Sequence, residues 1–373
     1  MVTYADLGVR PVINAWGTVT VMGGATMPEE VLASMVEAGR QFVPIHELQE
    51  AAGRYVAKRL GVEAAFISCG AFAGLVAAAA ACMAGTDPSF RAQLPDTKGL
   101  KDEIVVFRSM RSNYDQAFRV AGARLVEIGM PKRTEVWMLE KALSSQTAAV
   151  AYFVEHEHFG MLSLGRVIEV AHARGVPVIV DAAAELPPVE NLWKYTTLGA
   201  DLTVFSGGKD IRGPQSSGLV VGREDLVKAC AYHSAPNHSV GRGMKVGKEE
   251  IMAFVTALDI YLSQDFEREM EMWEAQVAYV VGYLSEIDGV DARRVYPGEP
   301  GIQPVWIPRA YIDWQPSLTR LTPDEVKAKL LDGEPRIAVG TSSTGLVVNP
   351  QMLEKGQERV VAERIRGVLQ NGI

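Results

Sequence analysis

The stretch Asp201-Leu-Thr-Val-Phe-Ser-Gly-Gly-Lys-Asp210 decides how this chain is read. Leu202 to Phe205 is a short apolar, β-branched run of the kind that forms a strand buried on both faces. It stops in small residues, where two glycines permit close backbone approach, and then presents Lys209. The following Gly213-Pro-Gln-Ser-Ser-Gly-Leu-Val-Val-Gly222 turns and returns at once to another strand pattern. One strand–helix unit upstream, Val178-Ile-Val-Asp181 ends an apolar run in a carboxylate, followed by Ala182-Ala-Ala184.

Working outward, similar runs recur with helical patterns between them. Strands are expected at 65–68, 104–107, 125–128, 149–154, 176–180, 202–205 and 218–221. Helices are expected at 74–83 and 167–174. This alternation predicts an α/β fold, a mostly parallel seven-stranded sheet with helices on both faces. Ligands in such sheets bind at the carboxyl ends of the strands. Ser68, Arg108, His156, Asp181 and Ser206 all fall at or just beyond such ends.

A lysine and a strand-end carboxylate in this arrangement suit pyridoxal 5′-phosphate (PLP). The amine forms the Schiff base, and the acid keeps the pyridine nitrogen protonated so that the ring accepts electrons. Lys209 and Asp181 are assigned those roles. Ala183 belongs to a small-residue floor on which a planar ring can pack. Ser68-Cys-Gly-Ala-Phe-Ala-Gly74 opens an apolar helix, so the Gly70, Ala71 and Phe72 amides are candidates for the cofactor phosphate. Ser206 can add a hydroxyl. Arg108, Ser109 and Arg111 follow the next strand as candidates to lie over the ring, because a guanidinium stacks on π systems. An arginine here can equally be a surface residue paired with an acid. His156, or its neighbour His158, is a candidate acid near neutral pH. Arg242 and Lys245, in a glycine-punctuated basic loop, are candidates for an anion of the substrate or of a partner subunit's site. Arg336 is a candidate donor to a substrate carboxylate.

Composition limits the alternatives. The chain has 373 residues, 48% of them hydrophobic and 22% charged, with a net charge of −8. That length predicts one large domain and a smaller one. No long basic run occurs, so neither nucleic acid nor an anionic membrane is an expected partner. The first residues carry no signal-peptide pattern, and the most apolar helix is too short to span a bilayer. Three widely spaced cysteines, with no CxxC pattern, predict reduced thiols, no metal site and a cytoplasmic protein.

The expected organisation is an N-terminal segment, 1–61, packing on the large domain or on a partner subunit. A large domain follows at 62–250. The remainder, 251–373, is read as a connecting helix and a small α+β domain. In it, 249–284 is one long helix or two, strands lie at 305–307, 336–339 and 345–348, and a last helix runs from 351 to 369. The stretch 87–99 is read as a surface loop.

These motifs resemble the fold-type-I PLP-dependent enzymes, and within them the branch of L-seryl-tRNA(Sec) selenium transferase. Val12-Ile-Asn-Ala-Trp-Gly-Thr18 is similar to the opening Ile-Asn-Ala-x-Gly-Thr of that branch. Phe205-Ser-Gly-Gly-Lys-Asp210 with Gly213-Pro-Gln-Ser-Ser-Gly218 resembles its lysine segment, and Gly241-Arg-Gly-Met-Lys-Val-Gly-Lys-Glu-Glu-Ile251 a further stretch. The branch has a tRNA-binding N-terminal domain in the selenium transferase. Ile13-Asn14 stands so early here that a tRNA substrate is not expected. Shorter members are of the D-glucosaminate-6-phosphate ammonia-lyase type. The resemblance therefore implies a PLP-dependent lyase that performs α,β-elimination on a small hydroxy-amino acid or amino-sugar acid. It also implies a homodimer or higher even oligomer. A racemase or epimerase, a retro-aldolase and a non-catalytic PLP-binding module are the other readings.

Overall fold

The computed structural model describes residues 1–154, 160–297 and 304–371. Among them twelve strands occur in chain order: β1 (Ile13–Ala15), β2 (Ala64–Ser68), β3 (Glu103–Phe107), β4 (Arg124–Ile128), β5 (Thr147–Phe153), β6 (Val178–Asp181), β7 (Leu202–Ser206), β8 (Gly218–Gly222), β9 (Val290–Val295), β10 (Arg309–Trp314), β11 (Ile337–Thr341) and β12 (Gly345–Val348). The chain divides into two compact units, one of Met27–Ser263 and one of Met1–Thr26 with Gln264–Ile373.

The larger unit is built on a seven-stranded sheet of order β2-β8-β7-β6-β5-β3-β4. Strand β8 is antiparallel to both neighbours, and every other adjacent pair is parallel. All seven expected strands are present. Every residue of β5 is buried, as a strand covered on both faces requires. The alanine-rich helix Gly70–Ala84 is buried along most of its length. It lies close to the sheet because Gly74 has no side chain. A Cβ there would stand 2.8 Å from Val204 Cγ1 and 3.1 Å from Val220 Cγ2.

The amino ends of the parallel strands are tied by Asp201, which is 3% exposed. Its Oδ2 accepts from the Val178 amide (2.8 Å) and faces His172 Nε2 (2.7 Å), while Oδ1 accepts from Arg223 Nη1 (2.9 Å). One carboxylate thus joins the start of β6, the end of the helix Leu164–His172 and the residue after β8. Hydrogen bonding to Asp201, followed by that to Asp225, raises the Arg223 pKa above its ordinary value.

The smaller unit holds a five-stranded sheet of order β1-β11-β12-β10-β9. Strand β1 joins β11 in parallel, and the other pairings are antiparallel. Val277, Leu284, Ile312, Leu330 and Ile365 lie in its core. The helix Pro323–Asp332 starts with a capping box between Thr322 and Glu325, which satisfies two first-turn donors.

Several expectations differ from this arrangement. The division falls at 26/27 and 263/264 rather than at 61/62 and 250/251. Helices Glu29–Gly39 and Ile45–Leu60 pack against Lys248–Leu262 inside the larger unit, whereas residues 1–26 follow β1 into the smaller one. Of the two forms expected for 249–284, the two-helix one is present, because the Asp265 carboxylate accepts from the Arg268 amide and starts a second helix, Phe266–Leu284. Residues 305–307 form a turn, with the strand beginning at Arg309. Pro304 and Pro308 flank the expected strand and lack ladder donors. The last helix starts at Gln357, after a 3₁₀ turn at Pro350–Met352 and Gly356 at φ +95°. Within 87–99, Asp87 caps a short helix, Pro88–Gln93.

Asp201→Ala should lower the unfolding free energy by about 2–3 kcal/mol, since it strands the Val178 amide, the Arg223 guanidinium and the His172 ring. Denaturant titration reads this as a lower midpoint with unchanged slope. A wild-type midpoint would show that this carboxylate does not secure the sheet.

Candidate active site

The carboxyl end of the large sheet brings Asp181, Ser206 and Ser68 to one edge. Asp181 ends β6 beside Val204 of β7 on one side and Phe153 of β5 on the other. Ser206 ends β7 opposite Gly218, and Gly218 also faces Ser68 at the end of β2. Because β8 runs backwards, its first residue lies at the same edge where β2 and β7 finish.

The Lys209 loop is a tight, self-bonded turn. Gly207 N donates to Ser217 O (2.9 Å), Gly213 N to Gly207 O (2.9 Å) and Arg212 N to Lys209 O (3.0 Å). Both glycines are required by packing. A Cβ on Gly207 would lie 2.2 Å from Ser217 Oγ and 2.7 Å from the Phe254 ring, and one on Gly208 would lie 2.4 Å from Gln215 Cα. Arg212 sits at φ +58°, a left-handed conformation that an arginine adopts only when its surroundings impose it. Lys209 is half-buried.

Asp181, also half-buried, accepts at Oδ1 from the Ala183 amide (3.0 Å). That bond folds the chain back immediately after the strand. Ala183 and Ala184 remain half-buried beside it. Four residues on, Glu185 brings a second carboxylate to 7% exposure, a feature that the sequence reading did not single out.

The helix Gly70–Ala84 begins with no side-chain cap from Cys69, so its first-turn N–H groups are not satisfied from that position. Gly70 and Ala71 are half-buried, and Phe72 is exposed. Ser68 Oγ donates to Gly70 O (2.9 Å) and holds the turn against β2. Gly218 makes room for it, since a Cβ there would meet the Gly70 carbonyl carbon at 2.5 Å. Gly218 was missed as a site residue. The available signal was a glycine opening a strand pattern, which marks close backbone approach.

Other candidates have different surroundings. Arg108 Nε donates to Glu127 Oε1 (2.7 Å), and Arg111 bonds both Asp115 and Glu127. Glu127 lies on β4, so both guanidinium groups are drawn towards that edge strand. The Arg108 bond holds the Glu127 carboxyl below the usual range, and Arg111 adds to the effect. Ser109 Oγ is bonded to Met161 Sδ. These contacts are those of an arginine paired with an acid. Arg336 Nε donates to Leu331 O (2.6 Å) and Nη1 to Arg10 O (3.3 Å), which ties β11 to the N-terminal segment in the smaller unit. Arg242 and Lys245 have no ion-pair partner among the described residues. His156 and His158 lie outside the described residues. Among the described residues no cluster suits a metal ion, and no helix is long and apolar enough to cross a membrane. Cys69, Cys82 and Cys230 are free cysteines.

The donor set fits PLP: a lysine on a rigid loop, a strand-end carboxylate, a small-residue floor and a helix start cradled by Gly218. Fold and site together define a fold-type-I PLP-dependent enzyme. The profile of the class-V aminotransferases matches residues 94–297, and the chain belongs to that family. It is 32% identical to the D-glucosaminate-6-phosphate ammonia lyase of Salmonella typhimurium, over 99% of this chain and 98% of that protein. A solved D-glucosaminate-6-phosphate ammonia-lyase superposes with a TM-score of 0.85 at 31% identity, covering 98% of this chain and 97% of the other. An L-seryl-tRNA(Sec) selenium transferase from Solidesulfovibrio magneticus is 25% identical over 70% of this chain and 62% of its own length.

Gly218→Val should displace the Gly70 turn and weaken cofactor binding about tenfold or more, given an overpacking cost of about 1–3 kcal/mol. Titration of the apoenzyme with PLP measures this. Gly165→Ala, at a helical glycine with open space around it, is the matched control and should leave binding unchanged. Equal affinities for the two variants would detach Gly218 from the cofactor.

Proposed function

We propose that this PLP-dependent lyase removes ammonia from a phosphorylated 2-amino-3-hydroxy sugar acid of the D-glucosaminate 6-phosphate type, leaving a 3-deoxy-2-oxo acid. The observation that carries this reading is the end-to-end likeness to D-glucosaminate-6-phosphate ammonia lyase, over 99% of this chain. The convergence of Asp181 and the Lys209 loop at one sheet edge supports it.

PLP, when bound, supplies an electron sink for charge at the substrate α-carbon. Lys209 is assigned to hold it through the ε-amine and, once released, to take the α-proton. Asp181 is assigned to the pyridine nitrogen, where its negative charge retains the ring proton. Its bond from the Ala183 amide fixes the carboxylate's orientation. The Gly70, Ala71 and Phe72 amides, with the Ser206 hydroxyl, are assigned to the cofactor phosphate. The β-hydroxyl leaves as water with a proton delivered by Lys209 or His156. Hydrolysis of the carbon–nitrogen bond then restores that water and releases ammonia, so the net change is loss of NH₃.

Arg242 and Lys245 are assigned to the substrate phosphate. Their charges lack acidic partners among the described residues, and the loop that carries them runs from the end of the helix Glu224–His233 to Gly247. A homodimer in which the loop of one copy serves the site of the other completes the proposal.

Incubation with D-glucosaminate 6-phosphate should yield ammonia and a 2-oxo acid in equal amounts. Lys209→Ala should lose the visible absorbance of the bound cofactor together with all turnover, and Asp181→Asn should lose about two to three orders of magnitude in kcat. Exchange of the α-proton in deuterated water without ammonia would replace elimination by racemisation, and glycine with an aldehyde would indicate aldol cleavage. Mixing Lys209→Ala protein with Arg242→Ala protein should restore turnover that neither shows alone. Mixtures no more active than their parts would place the loop in its own subunit's site.

A further inference from the structure

We infer that buried His233 is a positioning residue for substrate, setting the loop that carries Arg242 and Lys245. The inference rests on the assignment of those two cations to the substrate phosphate. His233 ends the helix Glu224–His233 and is fully buried. Its Nε2 lies 2.9 Å from Gly85 O, a carbonyl that can only accept, so Nε2 carries the hydrogen. Nδ1 lies 2.9 Å from Ser239 Oγ and, in the neutral ring, accepts from that hydroxyl. One imidazole therefore links the end of the helix Gly70–Ala84 to the middle of the loop. Burial, with a contribution from the Arg91 charge, holds the His233 pKa below its ordinary value despite the opposing Gly85 bond. That favours the neutral ring, in which Nδ1 accepts from Ser239.

The rest of the loop root is equally determined. Gly241 N donates to His233 O (3.0 Å), and a Cβ on Gly241 would stand 2.6 Å from that oxygen. Asn237 Nδ2 donates to Ala231 O (3.1 Å) and Ser234 Oγ to Cys230 O (2.8 Å). Arg242 N donates to Ser239 O (2.9 Å), so the residue gripped by His233 in turn fixes the backbone of Arg242. Met244 N donates to Gly241 O (3.0 Å), one residue before Lys245. Two cations without acidic partners among the described residues stand on a loop pinned by the His233 ring. That is a preorganised anion binder, in which ordering is complete before the ligand arrives.

The test uses the holoenzyme and two ligands, D-glucosaminate 6-phosphate as substrate and inorganic phosphate as a competitive probe measured by calorimetry. Ser239→Ala removes the loop-side hydroxyl and leaves the buried ring and its Gly85 bond in place. His233→Gln is the second variant, and Arg242→Ala the reference. For Ser239→Ala and His233→Gln we expect KM and the phosphate dissociation constant to rise about 10- to 100-fold, as displacement of a binding group by about 1 Å does. The cofactor absorbance should be unchanged and kcat kept within about twofold. Weakened phosphate binding in Arg242→Ala, with wild-type values in both other variants, would overturn the role of His233 and leave the loop assignment standing. Wild-type phosphate affinity in Arg242→Ala would overturn the loop assignment and the inference with it. A fall in kcat and cofactor absorbance without a change in phosphate affinity in Ser239→Ala would make the contact structural and also overturn the inference.

Discussion

The arrangement depends on missing side chains where the helix Gly70–Ala84 meets the reversed strand. Gly74 lets that helix rest on Val204 and Val220, and Gly218 lets its first turn stand against the start of β8. A side chain at either place would lift the helix start off the sheet edge. The first-turn amides of Gly70, Ala71 and Phe72 would then no longer share an edge with Ser206 and Asp181. Van der Waals exclusion at two backbone positions thus sets how closely the helix start approaches that edge. The same exclusion acts again at Gly207 and Gly208, which press the lysine turn against Ser217, Phe254 and Gln215.

The two ends of the sheet are held by different means. At the amino end Asp201 is a hub for a backbone amide, a histidine and an arginine, and it fixes geometry by charge-assisted hydrogen bonds. At the carboxyl end the Asp181 carboxylate accepts from the Ala183 amide and lies beside small residues. The Asp201 hub thus stands at the opposite end of the sheet from Asp181.

Much of the larger unit was legible because its strands are continuous apolar runs bounded by glycine, proline and small polar residues. Lys209 and Asp181 stood out for the same reason, as charged residues that end such runs. Other features depend on contacts between distant positions. The pairing of Arg108 and Arg111 with Glu127 is made across the β3–β4 pair, and nothing local to 107–114 announces it. Arg336 spends its donors on the carbonyls of Leu331 and Arg10, a use set by the parallel β1–β11 pairing. Strand β1 has three residues, too few for a periodicity. Strand β10 alternates arginine, tyrosine and aspartate with Ala310, Ile312 and Trp314, and its pattern was obscured by the two prolines before it. The role of His233 was invisible for a similar reason, since Gly85 lies 148 residues away along the chain.

The smaller unit draws on both arms of the polypeptide. Arg10 reaches the carbonyl of Gly333, 323 residues further on, and the neighbouring Ile13–Ala15 needs Ile337–Val339 as its only sheet neighbour among the described residues. On a ribosome making about 5–20 residues per second, the first arm waits roughly 16–65 s for its partner to be synthesised. The intervening 27–263 body can condense during that interval. The smaller body therefore closes only after the larger one can have formed, and Ile13–Ala15 stays without its parallel neighbour until Ile337–Val339 has been made.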